Sequence, residues 1–452
     1  VIIKTDRSRI ADYEKCPALR FWRYEYEGRG LEGRQDLKLD ARIGTWVHEG
    51  IEAWLSGVRA LGTTPRAAAI VAAESFLDEC KSIVDWTQLD DEGKFRITEG
   101  GEIVKALVYA WCRVRGESLL ADNDILAIEQ ELDVDFPVGT ETVRMMTRAD
   151  VIVKRKFDES VFVRNIKTVR SPNTTWREQW ALDMSTLSEP LAVDRWLGRD
   201  RCAGVCIDGL ITGEVLEYPK GSGHFYHNTP LLYAWFRGGD PPVSEDEWYQ
   251  RYEWSCTRPH KLGNGRKCDG GRTHKLSGVV KESVEKRYPG GIIGWIDFLY
   301  ENDRALLEEQ LIELPPIMRS EYHIERWKRQ VLGREVKIAG ESRLMQFVRA
   351  SKIDEPVEPG DPATFSQTLD YKFPMHTASG NCLRPGKCMA YDLCWGNAAS
   401  DPTNLGYKYR TPNHPQEEGD DHGRSRGSSI GTTGATGTAP DGPGARPEDE
   451  AP

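Results

Sequence analysis

Residues 146–168 read MTRADVIVKRKFDESVFVRNIKT, and how this stretch pairs with itself decides the fold. Two apolar runs, 142–154 and 160–168, flank Lys156-Phe157-Asp158-Glu159, a turn sequence. Closed as one antiparallel hairpin centred near the 157/158 bond, they put Asp150 across from Asn165. Lys167 falls on the same face as Asn165, because side chains alternate along a strand. Asp150, Asn165 and Lys167 then converge on one side of a mostly apolar hairpin. Such a set suits phosphodiester hydrolysis. A carboxylate binds Mg²⁺, which polarises a phosphate and makes a nucleophile of its bound water. A lysine beside it orients that water or neutralises charge in the transition state. On spacing alone, the alternative is a surface hairpin with ordinary polar residues.

The flanking sequence fits an α/β core. Residues 125–136 read as a strand before the hairpin, 176–197 as a helix after it, and 203–217 (AGVCIDGLITGEVLE) as a strand or strand pair. Further upstream, 6–27 reads as a short helix, and Gly44 to Leu55 as an amphipathic helix with Trp46, Val47, Ile51 and Trp54 on its apolar side. Residues 66–88 and 98–117 read as helices, as do 278–287, 301–311 and 340–353 downstream. This divides the chain into an N-terminal helical segment (1–120), a core (121–250), a basic loop (251–290), a helical C-terminal segment (291–410) and a tail (411–452). The tail is rich in Gly, Thr, Pro, Asp and Glu and is expected to be disordered.

The 452 residues are 39% hydrophobic and 29% charged, as in ordinary globular proteins. No apolar run is long enough to span a membrane, and the charged stretch Val1–Arg9 is no signal peptide, so a cytoplasmic protein is expected. The net charge of −11 opposes nucleic-acid binding only weakly, because phosphate contacts are local. The tail is acidic, whereas 251–290 holds ten Lys and Arg against four acids. Within CTRPHKLGNGRKCDGGRTH (256–274), Arg258, Lys261, Arg266, Lys267 and Arg272 make a surface suited to a DNA backbone. Cys256, His260, Cys268 and His274 share that stretch, but their spacing fits no zinc motif, and the basic loop is the preferred reading.

Ten cysteines in a cytosolic chain point to metal or burial rather than to disulfides. Cys80 and Cys112 lie in helical patterns and read as core residues. Cys382, Cys388 and Cys394 are different. They fall within thirteen residues of GNCLRPGKCMAYDLCWG (380–396), a density rare for plain hydrophobes; the alternative is three unrelated cysteines in a loop.

Four short motifs resemble the RecB family of PD-(D/E)XK nucleases. MTRADVIVKR (146–155) followed by VRNIKT (163–168) resembles that family's G-x-x-D, hairpin, D/E-x-K-T core. GTWVHEGIEAWL (44–55) resembles its G-x-x-x-H-E-x-x-E helix, and YEKCPALRFWRYEY (13–26) its Y-x-x-C-P segment. The resemblance implies a restriction-endonuclease-like mixed sheet flanked by helices. It implies His48 and Asp150 as ligands to Mg²⁺ or Mn²⁺, Lys167 as the catalytic lysine, and a role for Glu129 in AIEQEL. Asn165 departs from the pattern, since an acid is usual there; its amide oxygen can coordinate a metal but brings no charge. The family's following Q-x-x-x-Y helix is also missing: in DMSTLSEPLAV (183–193), Thr186 and Pro190 stand at the equivalent places.

Cys16 before the core, with Cys382, Cys388 and Cys394 after it, resembles the iron–sulfur staple of AddB-type and CRISPR-adaptation nucleases. The C-terminal spacing is looser than usual there and matches phage-encoded members, which share a preceding Phe-Pro, here Phe373-Pro374. Four thiolates would hold a [4Fe–4S] cluster or, equally, Zn²⁺. PGGIIGWIDFLYEN (289–302) and WKRQVLGREVKI (327–338) also look like phage-encoded segments. The resemblance thus implies a DNA exonuclease of phage or bacterial recombination and repair, acting beside a helicase or a single-strand annealing protein. The alternatives are a DNA-binding protein on the same fold that has lost catalysis, motivated by Asn165, and an unrelated zinc-stabilised scaffold.

Overall fold

The computed structural model describes residues 1–33, 38–60, 62–170, 172–181, 183–198, 202–213, 292–302, 304–308, 310–350, 368–375, 388–395 and 402–412, short stretches between 215 and 275, and Cys382, His414 and Glu417. Among these, six strands form one mixed sheet: β1 (Ile2–Asp6), β2 (Asn123–Val138), β3 (Glu141–Arg155), β4 (Val161–Val169), β5 (Cys202–Ile211) and β6 (Leu311–Glu313). They run β1-β3-β4-β5-β6, with β2 also paired to β3. The β3–β4 hairpin has the expected register, from Lys154 opposite Val161 to Val151 opposite Arg164. Its ladder ends there because the next main-chain donor, the Ile166 N–H, bonds to the Asp150 side chain at 2.8 Å instead.

Strand β2 pairs with β3 along its whole length, so the remaining edge of β3 is shared. Parallel β1 takes residues 142–146 of it and antiparallel β4 takes 151–154. Asp150 therefore lies at the fork where one neighbour gives way to the other. Strand β5 lies parallel to β4, and the connection between them carries helices Thr174–Gln179 and Ser185–Leu197.

Two apolar layers sandwich the sheet, as an α/β core requires. One side is covered by α2 (Leu39–Ala60), α3 (Pro65–Ile83), α4 (Asp91–Trp111) and α6 (Ile292–Asn302). In α2, Ile43, Val47, Ile51, Trp54 and Leu55 recur at helical spacing and are buried, and Cys80 and Cys112 are buried in the same layer. The other side is covered by α5 (Ser185–Leu197) and α7 (Glu321–Ala350). A third cluster joins residues 16–31 to Ile338 and Met345 of α7, to Phe373 and to Leu393 and Tyr407. Arg20, fully buried, locks this joint by ion pairs to Glu25 at 2.8 Å and Glu335 at 3.0 Å.

Several elements differ from expectation. The segment 6–27 is not one helix: α1 (Arg7–Lys15) stops at Cys16, which is extended because a residue before proline disfavours the helical region. A helix restarts at Pro17 and passes into a π turn over Phe21–Glu25. Residues 301–311 hold a short helix, Arg304–Glu308, and then strand β6. The helix expected at 340–353 begins at Glu321. The expected helix at 278–287 lies outside the described residues. The sheet also cuts across the compositional boundaries, drawing β1 from 1–120 and β6 from 291–410.

Of the 411–452 tail, the described residues are 411, 412, His414 and Glu417; the rest of the stretch expected to be disordered lies outside the described residues. Glu417 pairs with Arg9 and Arg410, and His414 Nδ1 lies 2.7 Å from Glu131. No described helix is long and apolar enough to cross a membrane.

Candidate metal centre

Each residue of the centre is set in place by an identifiable packing feature. Asp150 sits at the fork in β3, where its carboxylate replaces a ladder bond. His48 comes from α2, one turn after Gly44. A Cβ on Gly44 would stand 2.9 Å from Thr168 Oγ1 in β4, so glycine lets the helix approach the strand that carries Lys167. Gly50, one residue pair further along, does the same against α3 and α4, where a Cβ would meet Ala72 and Val108 at under 3 Å. Glu129 lies in β2 between the pairs Ile128–Val151 and Gln130–Ala149, which brings it beside Asp150. Its backbone is left-handed, with φ of 46°. A side chain there costs about 1–2 kcal/mol relative to the right-handed region.

The ligand atoms of His48, Glu129 and Asp150 lie within 4.8 Å of one another, the sole such group of three among the described residues. His48 Nδ1 is 3.6 Å from Asp150 Oδ2 and 3.9 Å from Glu129 Oε1. Lys167 Nζ donates to Asp150 Oδ2 at 3.0 Å. Burial alone would raise the Asp150 carboxyl. Lys167 and His48, with the Lys167 and Ile166 hydrogen bonds, outweigh it and hold the carboxyl below its ordinary value. Glu52, one turn beyond His48, is raised by burial and by the nearby Glu129 and Glu49 carboxylates. Arg148, mostly exposed, pairs with Glu129 at 2.9 Å on the rim.

Asn165 is 1% exposed, and its Nδ2 donates to Glu189 Oε2 at 2.8 Å. Its Oδ1 is buried and has no hydrogen-bond partner among the described residues. Leaving a carbonyl so costs about 1–3 kcal/mol unless something pairs with it. Glu189 is itself buried, and that burial pushes its carboxyl up to about 8 against the opposing pull of Lys167. Thr186, at the place of the family helix's glutamine, accepts from Arg319 at 2.5 Å and donates to the Asp183 carbonyl at 2.7 Å. Pro190 lies inside α5. Thus α5 sends Glu189, not Thr186 or Pro190, to the strand. The signal was present: Glu189 is the sole acid among the apolar and small residues 184–193.

These donors fit a divalent cation. Crowded carboxylates need a positive charge, the orphaned Asn165 oxygen needs a partner, and carboxylate and carbonyl oxygens suit Mg²⁺ or Mn²⁺.

A second group forms at the joint between chain ends. Cys16, Cys382, Cys388 and Cys394 line one pocket, and the Cys388 N–H donates to the Cys382 carbonyl at 2.8 Å. Burial pushes the Cys394 thiol up to about 12 and raises Cys388, with the neighbouring cysteines adding to both. No three of these sulfurs approach within 4.8 Å, whereas thiolates around one tetrahedral Zn²⁺ sit about 3.8 Å apart.

Of the basic residues expected to meet DNA, Arg258 and Arg266 lie outside the described residues. Lys261 and Lys267 pair with each other in a two-stranded ladder that also joins His260 to Cys268; Arg272 pairs with Cys256 in a second.

Residues 7–186 match the family model of the PD-(D/E)XK nuclease superfamily. That span contains α1 to α4, strands β2, β3 and β4, and all of His48, Glu129, Asp150, Asn165 and Lys167. No curated protein matches the chain.

Proposed function

We propose that this protein is a metal-dependent DNA exonuclease of RecB/AddB-like type, hydrolysing phosphodiester bonds in phage or bacterial recombination or repair. The observation that carries this reading is the convergence of His48, Glu129 and Asp150 with the Lys167 amine on a forked sheet edge, within the span matching a nuclease superfamily. A bound Mg²⁺ or Mn²⁺ would polarise the scissile phosphate and acidify a water. His48, Glu129, Asp150 and the Asn165 oxygen would hold it. Lys167, partly exposed and anchored to Asp150, orients the attacking water and offsets charge growing on the phosphate. Arg148 on the rim offers a contact to the strand backbone.

The four cysteines line one pocket and would hold a [4Fe–4S] cluster, with Zn²⁺ the alternative. Such a cluster would staple the N-terminal segment to residues 382–394 and close one side of a DNA channel. A helicase or single-strand annealing protein is the partner this reading implies.

The test is degradation of end-labelled linear DNA against a covalently closed circle, with Mn²⁺ or Mg²⁺, beside Lys167→Ala. Metal-dependent loss of linear DNA alone, abolished in the variant, is expected. Cleavage of the circle would replace "exonuclease" with "endonuclease". Binding of DNA without degradation would favour a second reading, a nuclease fold without turnover, which the neutral Asn165 motivates.

A further inference from the structure

Lys167 has a neighbour that the metal centre does not use. In the parallel pairing of β4 with β5 it stands beside Gly209. Paired residues of parallel strands point to one face, and such strands lie about 4.8 Å apart. Gly209 has no side chain, and an indole fills the room above it. A Cβ there would stand 2.4 Å from Trp176 Cη2 and 3.2 and 3.3 Å from Cζ2 and Cζ3. One ring carbon leads and its two neighbours follow, as when a ring is approached along its own plane. The indole therefore stands on its benzo edge against β5, with its flat faces turned sideways, on the face that carries Lys167. Its seat is fixed. The Trp176 N–H donates to Asn173 Oδ1 at 2.8 Å where helix Thr174–Gln179 begins. The Trp180 ring lies 5.8 Å away with its plane at 81°. A ring set so nearly at right angles covers at most one of the two faces. Trp180 is buried, whereas Trp176 is only partly so.

We infer that Trp176 is a stacking platform for a nucleobase of the strand under attack, the base adjoining the phosphate that Lys167 meets. This rests on the reading of Lys167 as the amine at the scissile phosphate. Stacking needs only a π-face, which every base has, so the platform tolerates any sequence. A base inside a duplex is already paired and stacked on its neighbours. The platform therefore takes its base from a single strand or a frayed end, and single-stranded DNA is the substrate class it selects. Gly209 is the residue that admits the ring, since any side chain there would evict it.

The test is binding of fluorescent oligothymidylates to the full chain, with Ca²⁺ in place of Mg²⁺ so that the strand is held and not consumed. In the set of strands, a single abasic site steps inward from each end. For the wild type, one position should cost about 5- to 150-fold in affinity, the usual effect of losing one stacked base. Trp176→Met keeps bulk and loses the aromatic plane. It should bind the intact strand as weakly as the wild type binds that abasic one, and lose nothing further when the base is removed. A Trp176 that only packs would leave the abasic profile of the folded variant like that of the wild type. That result, or a wild type with no position-specific cost, overturns the inference. If Trp176→Met does not fold, the wild type is irradiated with strands carrying 5-iododeoxyuridine at each position, and the crosslinked peptide is identified by mass spectrometry. A crosslink to Trp176 is expected; crosslinks that map only elsewhere, or none, overturn the inference. A wild type that binds no strand at all sinks the nuclease reading itself, a result distinct from binding that is indifferent to Trp176.

Discussion

The Lys167 amine and the Ile166 main-chain N–H bond to the same oxygen of Asp150, at 3.0 and 2.8 Å. One carboxylate thus does two jobs: it ends the β3–β4 ladder and holds the lysine beside the proposed metal. The oxygen that shapes the fork is also the oxygen that aims the lysine.

Lys167→Ala should therefore cut nuclease activity by about 100- to 1,000-fold, the usual effect of losing one charged donor at a transition state. Asp150 keeps its Ile166 bond, so the fold survives. Activity on labelled linear DNA and a far-ultraviolet circular dichroism melt check both halves.

Glu129→Gly should make the protein more stable and less active. The left-handed backbone at φ of 46° suits glycine, so the substitution should gain about 1 kcal/mol while removing a ligand. Glu129→Gln keeps the strain and loses the charge. Denaturant melts of the two variants should therefore diverge while both lose activity; parallel melts would refute the strain argument.

Gly44→Val should push α2 away from β4, because even a Cβ would stand 2.9 Å from Thr168 Oγ1. Overpacking of this kind costs about 1–3 kcal/mol. His48 lies one turn along the same helix, so Mn²⁺ affinity should fall with stability. A variant destabilised yet binding Mn²⁺ as tightly as wild type would separate the helix from the site.

Acidification should release the strap that ends at Glu417. Burial alone would raise its carboxyl, but Arg9 and Arg410 hold it down at about 2. A depressed folded value means the stabilisation is present above the unfolded value near 4.5 and is lost as pH falls toward 2. Hydrogen exchange at residues 402–412 should accelerate across that window. Glu417→Gln should show the faster exchange already at neutral pH, with a loss of about 1.5–3 kcal/mol locally.

The hairpin register and the positions of Asp150, Asn165 and Lys167 could be read because strand alternation is strict and the turn at 156–159 leaves one way to fold back. The buried face of α2, with Val47, Ile51 and Trp54, followed from helical spacing in the same way. Strand β1 was missed because five residues, IIKTD, carry too little pattern; it exists through pairing with β3, far along the chain. Glu189 was missed for a related reason. Its partner is 24 residues away, and only the crossover from β4 through α5 brings them together. The break at Cys16 was readable from Pro17 and was overlooked, since the apolar spacing runs on through it.

The sheet's topology also governs the order in which the molecule can be finished. Its first strand is β1, yet its far edge is Leu311–Glu313, and one face stays only partly covered, by α5, until the helix over 321–350 lies across it. All five residues of the proposed centre leave the ribosome long before that cover is made. A partly synthesised chain would hold the chemical groups without the scaffold that aims them. For a protein proposed to degrade DNA, such wiring would keep the nascent chain harmless until nearly all of it has emerged.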